Sequence, residues 1–234
     1  MNPRLRIPKS ADYFDISASI AVMIERSSAT PDQRHMGLIA EIFPDERPGQ
    51  RWLIDHGFHR HTRANVCDWA SETQCWLPVV IEEDVADGLL HLCDIVRSRY
   101  TGRGRGLPYS IRYAGGAIRR EGSQLTFDEH GFTCASFVVA LFRGVGLRVI
   151  DLASWSARTA QRQLEDTEWQ RKMVADIRVY TQDNEHADRE QGEIPCFRFR
   201  PEEIVAALAI GNGAAAVSFS EAEPLSRELL DQLP

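Results

Sequence analysis

From Cys134 to Phe142 the chain reads CASFVVALF, and only Ser136 interrupts the apolar run. A helix that is apolar nearly all round has no face to give to water, so it belongs in the middle of a domain. Other elements have to enclose it. With 234 residues the chain can build a core of ordinary size without disulfide or metal staples.

The enclosing elements are legible on both sides. "ISASIAVMIE" (16–25), "HMGLIAEIF" (35–43) and "RWLIDHGFH" (51–59) read as strands, with shorter ones near 62–67 and 76–81. Turn-rich stretches at 27–34 and 44–50 join the first three, so the first half reads as an antiparallel meander. Alternation in the second strand puts Met36, Leu38, Ala40 and Ile42 on one apolar face. His35, Gly37, Ile39, Glu41 and Phe43 share the other. In 82–100 the period changes to that of a helix, with Val85, Leu89, Leu92, Cys93 and Val96 on one side. Further helices are predicted over 155–177 and 201–210, a strand over 196–200, and loops over 101–122 and 181–193. The last 20 or so residues read as peripheral. The fold class is therefore α+β: an antiparallel sheet packed on a buried central helix, with additional C-terminal helices.

Composition narrows the function. A formal charge of −7 argues against general nucleic-acid binding, which leaves a basic footprint. The N-terminal "MNPRLRIPKSADYFDISASIAVMI" places Asp12 and Asp15 before its apolar stretch and Ser17 and Ser19 within it, which does not fit a signal peptide. No segment approaches the ~20 apolar residues of a membrane span. Five cysteines without a CxxC pair suggest reduced thiols, so a cytoplasmic protein is expected.

Of those cysteines, Cys134 opens the buried helix. The first turn of a helix carries unpaired N–H groups and the positive end of the dipole, and both favour a thiolate. Gly131 permits a tight approach of the chain just before it. A buried Cys serving as a small hydrophobe is the plainer reading. Cys67, Cys75, Cys93 and Cys196 lack a helix start and read as structural thiols. A nucleophilic thiol needs a base and a group to orient that base. His35 begins a strand whose other face is apolar, and Gly37 leaves space beside it. Asp55 and His56 alternate faces on the next strand, so only one of them can point at His35. A carboxylate that fixes the imidazole tautomer favours Asp55, with His56 as the alternative orienter. His56, His59 and His61 lie close enough together to raise a metal-dependent hydrolase as a rival reading, although zinc-finger spacing is absent. A non-catalytic binding module on the same fold is the other rival. His91, His130 and His186 read as a solvated helix residue and two loop residues. The "GRGRG" stretch lacks the Lys-Ser/Thr of a phosphate loop.

In this order, "RHMGLIAEI", "RWLIDHGFH" and "GFTCASFVVALF" resemble the His-x-Gly strand, the third-residue strand and the Cys helix of a known group. That group is the circularly permuted branch of the NlpC-type papain-like superfamily, which includes lecithin:retinol acyltransferase-like and YiiX-like cysteine hydrolases. The likeness covers roughly residues 16–146; Asp stands where His or Glu is commoner in the third role. It implies a permuted papain-like catalytic core over 1–150; residues 147–234 match nothing in that group, and 151–234 are expected to form a C-terminal helical or irregular extension packed on the core, shaping the substrate pocket. It also implies a Cys134–His35–Asp55 hydrolase, peptidase or acyltransferase working through a thioester, with no cofactor and no metal. The substrate would be a peptide, isopeptide or lipid-like acyl group. An Arg-rich loop next to the catalytic helix favours an acidic one.

Overall fold

Short apolar runs in the first 80 positions build a five-stranded sheet, antiparallel throughout, in the order β4-β3-β2-β1-β5. The strands are β1 (Ile20–Arg26), β2 (Arg34–Ala40), β3 (Trp52–Phe58), β4 (His61–Val66) and β5 (Gln74–Pro78). The first four form the expected meander, and β5 crosses back to pair with β1. The computed structural model describes residues 20–26, 33–42, 50–67, 73–102, 104–122, 124–127, 130–156, 159–211 and 215–234. The N-terminal leader reading, the start of the strand expected at 16–25, and most of the turns expected at 27–34 and 44–50 lie outside the described residues.

One face of the sheet, with Val22, Ile24, Met36, Leu38 and Ile54, packs on α2 (Cys134–Gly144). Every residue of α2 from Ala135 to Phe142 is buried, which is what an all-apolar helix requires. Each large side chain withdrawn in this way contributes roughly 1.5–3 kcal/mol of transfer free energy. α1 (Glu83–Arg99) closes one side through Leu89, Leu92, Cys93 and Val96. Its acidic first turn and basic last turn both suit the helix dipole. A short hairpin of β6 (Arg119–Glu121) and β7 (Gln124–Thr126) follows.

The second half departs from expectation in three places. The helix expected at 155–177 is a 3-10 turn, Leu152–Ser156, followed by α3 (Ala160–Thr181), whose start is set by the Thr159 cap. The stretch 181–193 is not a loop: it holds α4 (Asn184–Gly192), capped by Asp183, whose carboxylate accepts the His186 N–H at 3.1 Å. The buried side of α4 is made of His186, Ala187 and Glu190 rather than aliphatic residues, so no apolar period announced it. Residues 196–200 are extended but pair with no described strand.

α5 (Pro201–Gly211) and α6 (Phe219–Leu230) complete the chain. α6 is not peripheral, because Phe219, Ala222, Leu229 and the following Leu233 join the same core as β1 and α2. A single apolar core is thus continuous across residue 150. Among the described residues, no helix is long and apolar enough to cross a membrane.

Candidate active site

The approach to Cys134 is fixed by its backbone. Gly131 has φ +99°, and a Cβ there would lie 2.2 Å from the Pro108 carbonyl oxygen, so only glycine lets the two segments touch. Phe132 N–H donates to Pro108 O at 3.1 Å and Ser110 N–H to Phe132 O at 3.2 Å, which locks that contact. Thr133 then caps α2 in a reciprocal box with Ser136, the two bonds being 2.8 and 3.2 Å. Cys134 is left as the first helical residue, half-buried at the floor of a cleft of about 590 Å³.

His35 meets it there. The imidazole and the thiol are electrostatic partners, and the Met36 backbone N–H also favours the charged sulfur. On the far edge of the imidazole, Nε2 lies 3.3 Å from Asp55 Oδ1. That leaves Nδ1 to serve the thiol. Asp55 reaches His35 diagonally across the sheet from β3, where it stands directly opposite Gly37. A Cβ on Gly37 would come within 2.9 Å of the Asp55 Cβ, so the missing side chain is what seats the carboxylate.

Arg63, facing Asp55 across the β3–β4 ladder, donates its Nε–H to the same Oδ1 at 2.7 Å. Its Nη2 is 3.2 Å from His35 Nε2. With His35 protonated, one carboxylate holds both cations.

The charges set the resting state. Burial opposes a charged imidazole, but the bonds to Asp55 and Cys134, together with their negative charge, push the His35 pKa up to about 10. Burial also penalises the Cys134 thiolate, yet the His35 bond and charge, the Met36 N–H and the positive charge of Arg198 hold its pKa below the ordinary thiol range. Asp55 is likewise depressed: burial works against its charge, and His35 and Arg63 outweigh it. The three directions favour the charged forms of Cys134 and Asp55 and the protonated form of His35. The other four thiols go the opposite way through desolvation. Cys75 rises to about 11, Cys67 and Cys196 to about 12, and Cys93 higher still.

The clustered histidines do not converge. His56 turns to the helix side of the sheet, between the rings of Tyr109 and Phe137, and its Nδ1 bonds Thr62 Oγ1 at 3.1 Å. That orientation removes it as the orienter of His35. His59 stacks on His186 with ring centroids 4.2 Å apart and its Nε2 3.3 Å from Asp183. His61 is exposed at the cleft. Among the described residues no three His, Cys, Asp or Glu side chains form a metal-holding group.

Sequence reasoning missed Arg63 and the opposite wall of the cleft. Arg63 could have been found by pairing the strands expected at 51–59 and 62–67, since the hairpin sets it against Asp55. The wall comes from Trp169, Lys172, Met173 and Tyr180 of α3 and from Arg198 and Phe199. None of these carries a motif. The Arg-rich loop, in turn, does not line the cleft with its described arginines: Arg112 pairs with Glu193 at 2.7 Å, and Gly104 and Gly106 bond the Arg60 carbonyl.

No family model, curated protein or solved structure matches this chain. The site therefore stands on its geometry.

Proposed function

We propose that the protein is a cysteine-dependent hydrolase or acyltransferase acting on an amide or ester carbonyl, on a papain-like fold of the permuted, NlpC-related order. The observation that carries the reading is the pairing of Cys134 with His35. Of five free thiols, the one at a helix start and in a cleft is also the one whose pKa is lowered, with His35 as the chief favourable partner, while the other four are raised.

The Cys134 thiolate attacks the carbonyl carbon, forming the C–S bond. The developing oxyanion faces the Cys134 backbone N–H, which as a first-turn donor has no intrahelical acceptor. The His35 imidazolium gives its proton to the leaving nitrogen or oxygen as that bond breaks, and a thioester remains. Neutral His35 then takes a proton from water or from an acceptor hydroxyl or amine, which attacks the thioester and releases the thiolate. Asp55 and Arg63 keep the imidazole in position throughout. A lowered Cys134 pKa beside a raised His35 pKa favours the pair in which the proton rests on His35.

Incubation with an activated acyl ester such as p-nitrophenyl acetate, followed by peptide mass spectrometry, should place the acetyl group on Cys134. The adduct should be absent in Cys134→Ala and form at least 100-fold more slowly in His35→Ala. Acylation that persists in Cys134→Ala, or that spreads evenly over Cys67 and Cys196, would overturn the proposal.

A further inference from the structure

A second cavity, of about 570 Å³, opens where α2 ends, and Arg119, Arg143 and Arg148 line it together with Thr126 and Phe127. Arg143 stands in the last turn of α2, nine residues from Cys134, which is about 14 Å along the helix axis. None of the described residues lines both this cavity and the thiol cleft.

The local sequence, LFRGVGLRVI, explains why the arginines converge. A left-handed turn at Gly146, φ +87°, leads the chain off the helix, and Arg148 follows two residues on. Gly144 is the contact point with the segment that carries Arg119. A Cβ on Gly144 would collide with the Ile118 carbonyl oxygen, and the Ile118 N–H donates to Ala140 O at 3.0 Å. On the far side of Arg148, Val149 and Ile150 are buried, and Val149 O accepts the Val217 N–H at 3.1 Å. Buried neighbours in three segments thus bring three guanidiniums to one place.

Their charge is uncompensated. Among the described residues, none of the three has a hydrogen-bond or ion-pair partner, and none of those lining the cavity is acidic. Arginines elsewhere are answered: Arg63 by Asp55, Arg112 by Glu193, Arg162 by Glu203 and Arg200 by Asp166. Asp151, three residues beyond Arg148, instead accepts the Ala153 N–H at 3.3 Å. Arg119 also borders a neighbouring hollow that holds Asp84, without an ion pair between them. A helix C-terminus by itself repels anions. Here the last carbonyls already accept the Val145, Gly146 and Leu147 N–H groups at 3.0–3.2 Å, so the guanidiniums set the sign.

We propose that this cavity binds a phosphate-bearing ligand, its phosphate held by Arg143 and Arg148 with Arg119 at the rim. Three cations around one hollow match a multiply charged group better than a lone carboxylate. Guanidinium forks present paired N–H donors to phosphate oxygens. Thr126 adds a hydroxyl, while Phe127 and Leu147 offer an apolar side to the organic part of the ligand. A concave site of this volume is in the range of small-molecule pockets. The site is independent of the chemistry assigned to Cys134.

Pyrophosphate is the probe. Titrated by calorimetry into the full-length protein at pH 7 and low salt, it should bind one to one. Arg143→Gln and Arg148→Gln should each weaken it about tenfold, the lower end of what a hydrogen bond between charged groups supplies. Arg120→Gln removes the same charge beside Arg119, but the Arg120 Nε–H bonds Gly122 O at 2.8 Å and the residue does not line the cavity. Its affinity should stay within about twofold of wild type, since it loses no such bond. In the wild type, pyrophosphate should protect Arg143 and Arg148 from phenylglyoxal, read by peptide mass spectrometry, and leave Arg120 open to it. That measurement does not depend on a variant folding. Glycerol 3-phosphate and vesicles containing phosphatidic acid then separate the two sources of the group. Binding of the first that Arg143→Gln weakens supports a soluble ligand, and co-sedimentation with the second that Arg143→Gln abolishes supports a lipid headgroup. Absence of pyrophosphate binding at millimolar concentration, or an equal loss in Arg120→Gln, would sink the assignment. Tighter binding of an oligoglutamate peptide than of pyrophosphate would give the site to an acidic protein and overturn it as well.

Discussion

One methyl group at Gly37 should disable the site from a distance. The Cβ of Gly37→Ala would lie 2.9 Å from three atoms at once: Asp55 Cβ, the Ile54 carbonyl oxygen and Leu53 Cδ1. Carbon–carbon contacts relax at about 3.5–4.0 Å, so Asp55 has to retreat by roughly 0.6–1 Å. Its Oδ1 starts 3.3 Å from His35 Nε2. A retreat of that size ends the hydrogen bond. A hydrogen bond to a charged group is worth about 1.5–3 kcal/mol, which corresponds to roughly a 10–100-fold loss in the ability of His35 to hold the proton of Cys134. The overpacking itself costs about 1–3 kcal/mol of stability, so the variant is first checked for folding by its melting temperature.

The assay is the rate of Cys134 alkylation by iodoacetamide as a function of pH. In the wild type its inflection should lie below the ordinary thiol range. In Gly37→Ala it should move upward by between about one and two pH units. Gly57→Ala is the control: it borders the same cleft, but its Cβ would meet Arg63 at 3.4 Å, an ordinary contact. A folded Gly37→Ala with the wild-type inflection, or an equal shift in Gly57→Ala, would refute the argument that this gap seats Asp55.

Asp55→Asn removes the charge without the steric push and should raise the same inflection. Combining it with Gly37→Ala should add little, because both changes break one interaction; a fully additive double variant would separate the two effects. Acid should weaken the fold through histidines away from the thiol. Burial, with little to offset it, drives the His56 pKa down to about 3 and the His59 pKa down to about 4. Both stay neutral in the folded protein while the unfolded chain protonates them near 6.5. The unfolded state therefore binds more protons as pH falls, and stability is full above about 6.5 and lost toward about 4. Two such groups give at most about 2.7 kcal/mol per pH unit in that window. Denaturant midpoints between pH 7 and 4.5 should show the slope, and His56→Phe should flatten it. An unchanged slope in that variant would assign the acid lability elsewhere.

The first half of the chain was the more legible, for a physical reason. Strands β1 and β2 bury short continuous apolar runs on both faces, and α1 buries aliphatic residues at helical spacing, so these elements stand out in the sequence. The candidate Cys134, His35 and Asp55 were visible because each sits at a punctuated place: a helix start after glycine, a strand start before glycine, a strand centre. What could not be read is what polar residues bury. α4 hides its inner face behind His186 and Glu190. Asp166 of α3 is completely buried yet reads as a surface acid. Arg198 has the same disguise, because a guanidinium held 3.8 Å over the Trp169 ring and a guanidinium in water are spelled alike. His56 shows the converse, a residue correctly placed on a strand but with its face left undecided until the register with β4 was known.

The alternation Phe197–Arg198–Phe199 carries a consequence for how such a chain can vary through descent. Single replacements there are graded events, since a different aromatic still fills the cluster with Trp155 and Lys still brings a charge to the cleft. A change of length is not graded. Losing or gaining one residue between Pro195, just after α4, and Pro201, which opens α5, shifts every side chain of the segment off its partners. Phe197 and Phe199 would lose their places beside Trp155, and Arg198 its place over the Trp169 ring. Relatives of this protein should differ at these positions by substitution and agree in the count of residues that separate α4 from α5.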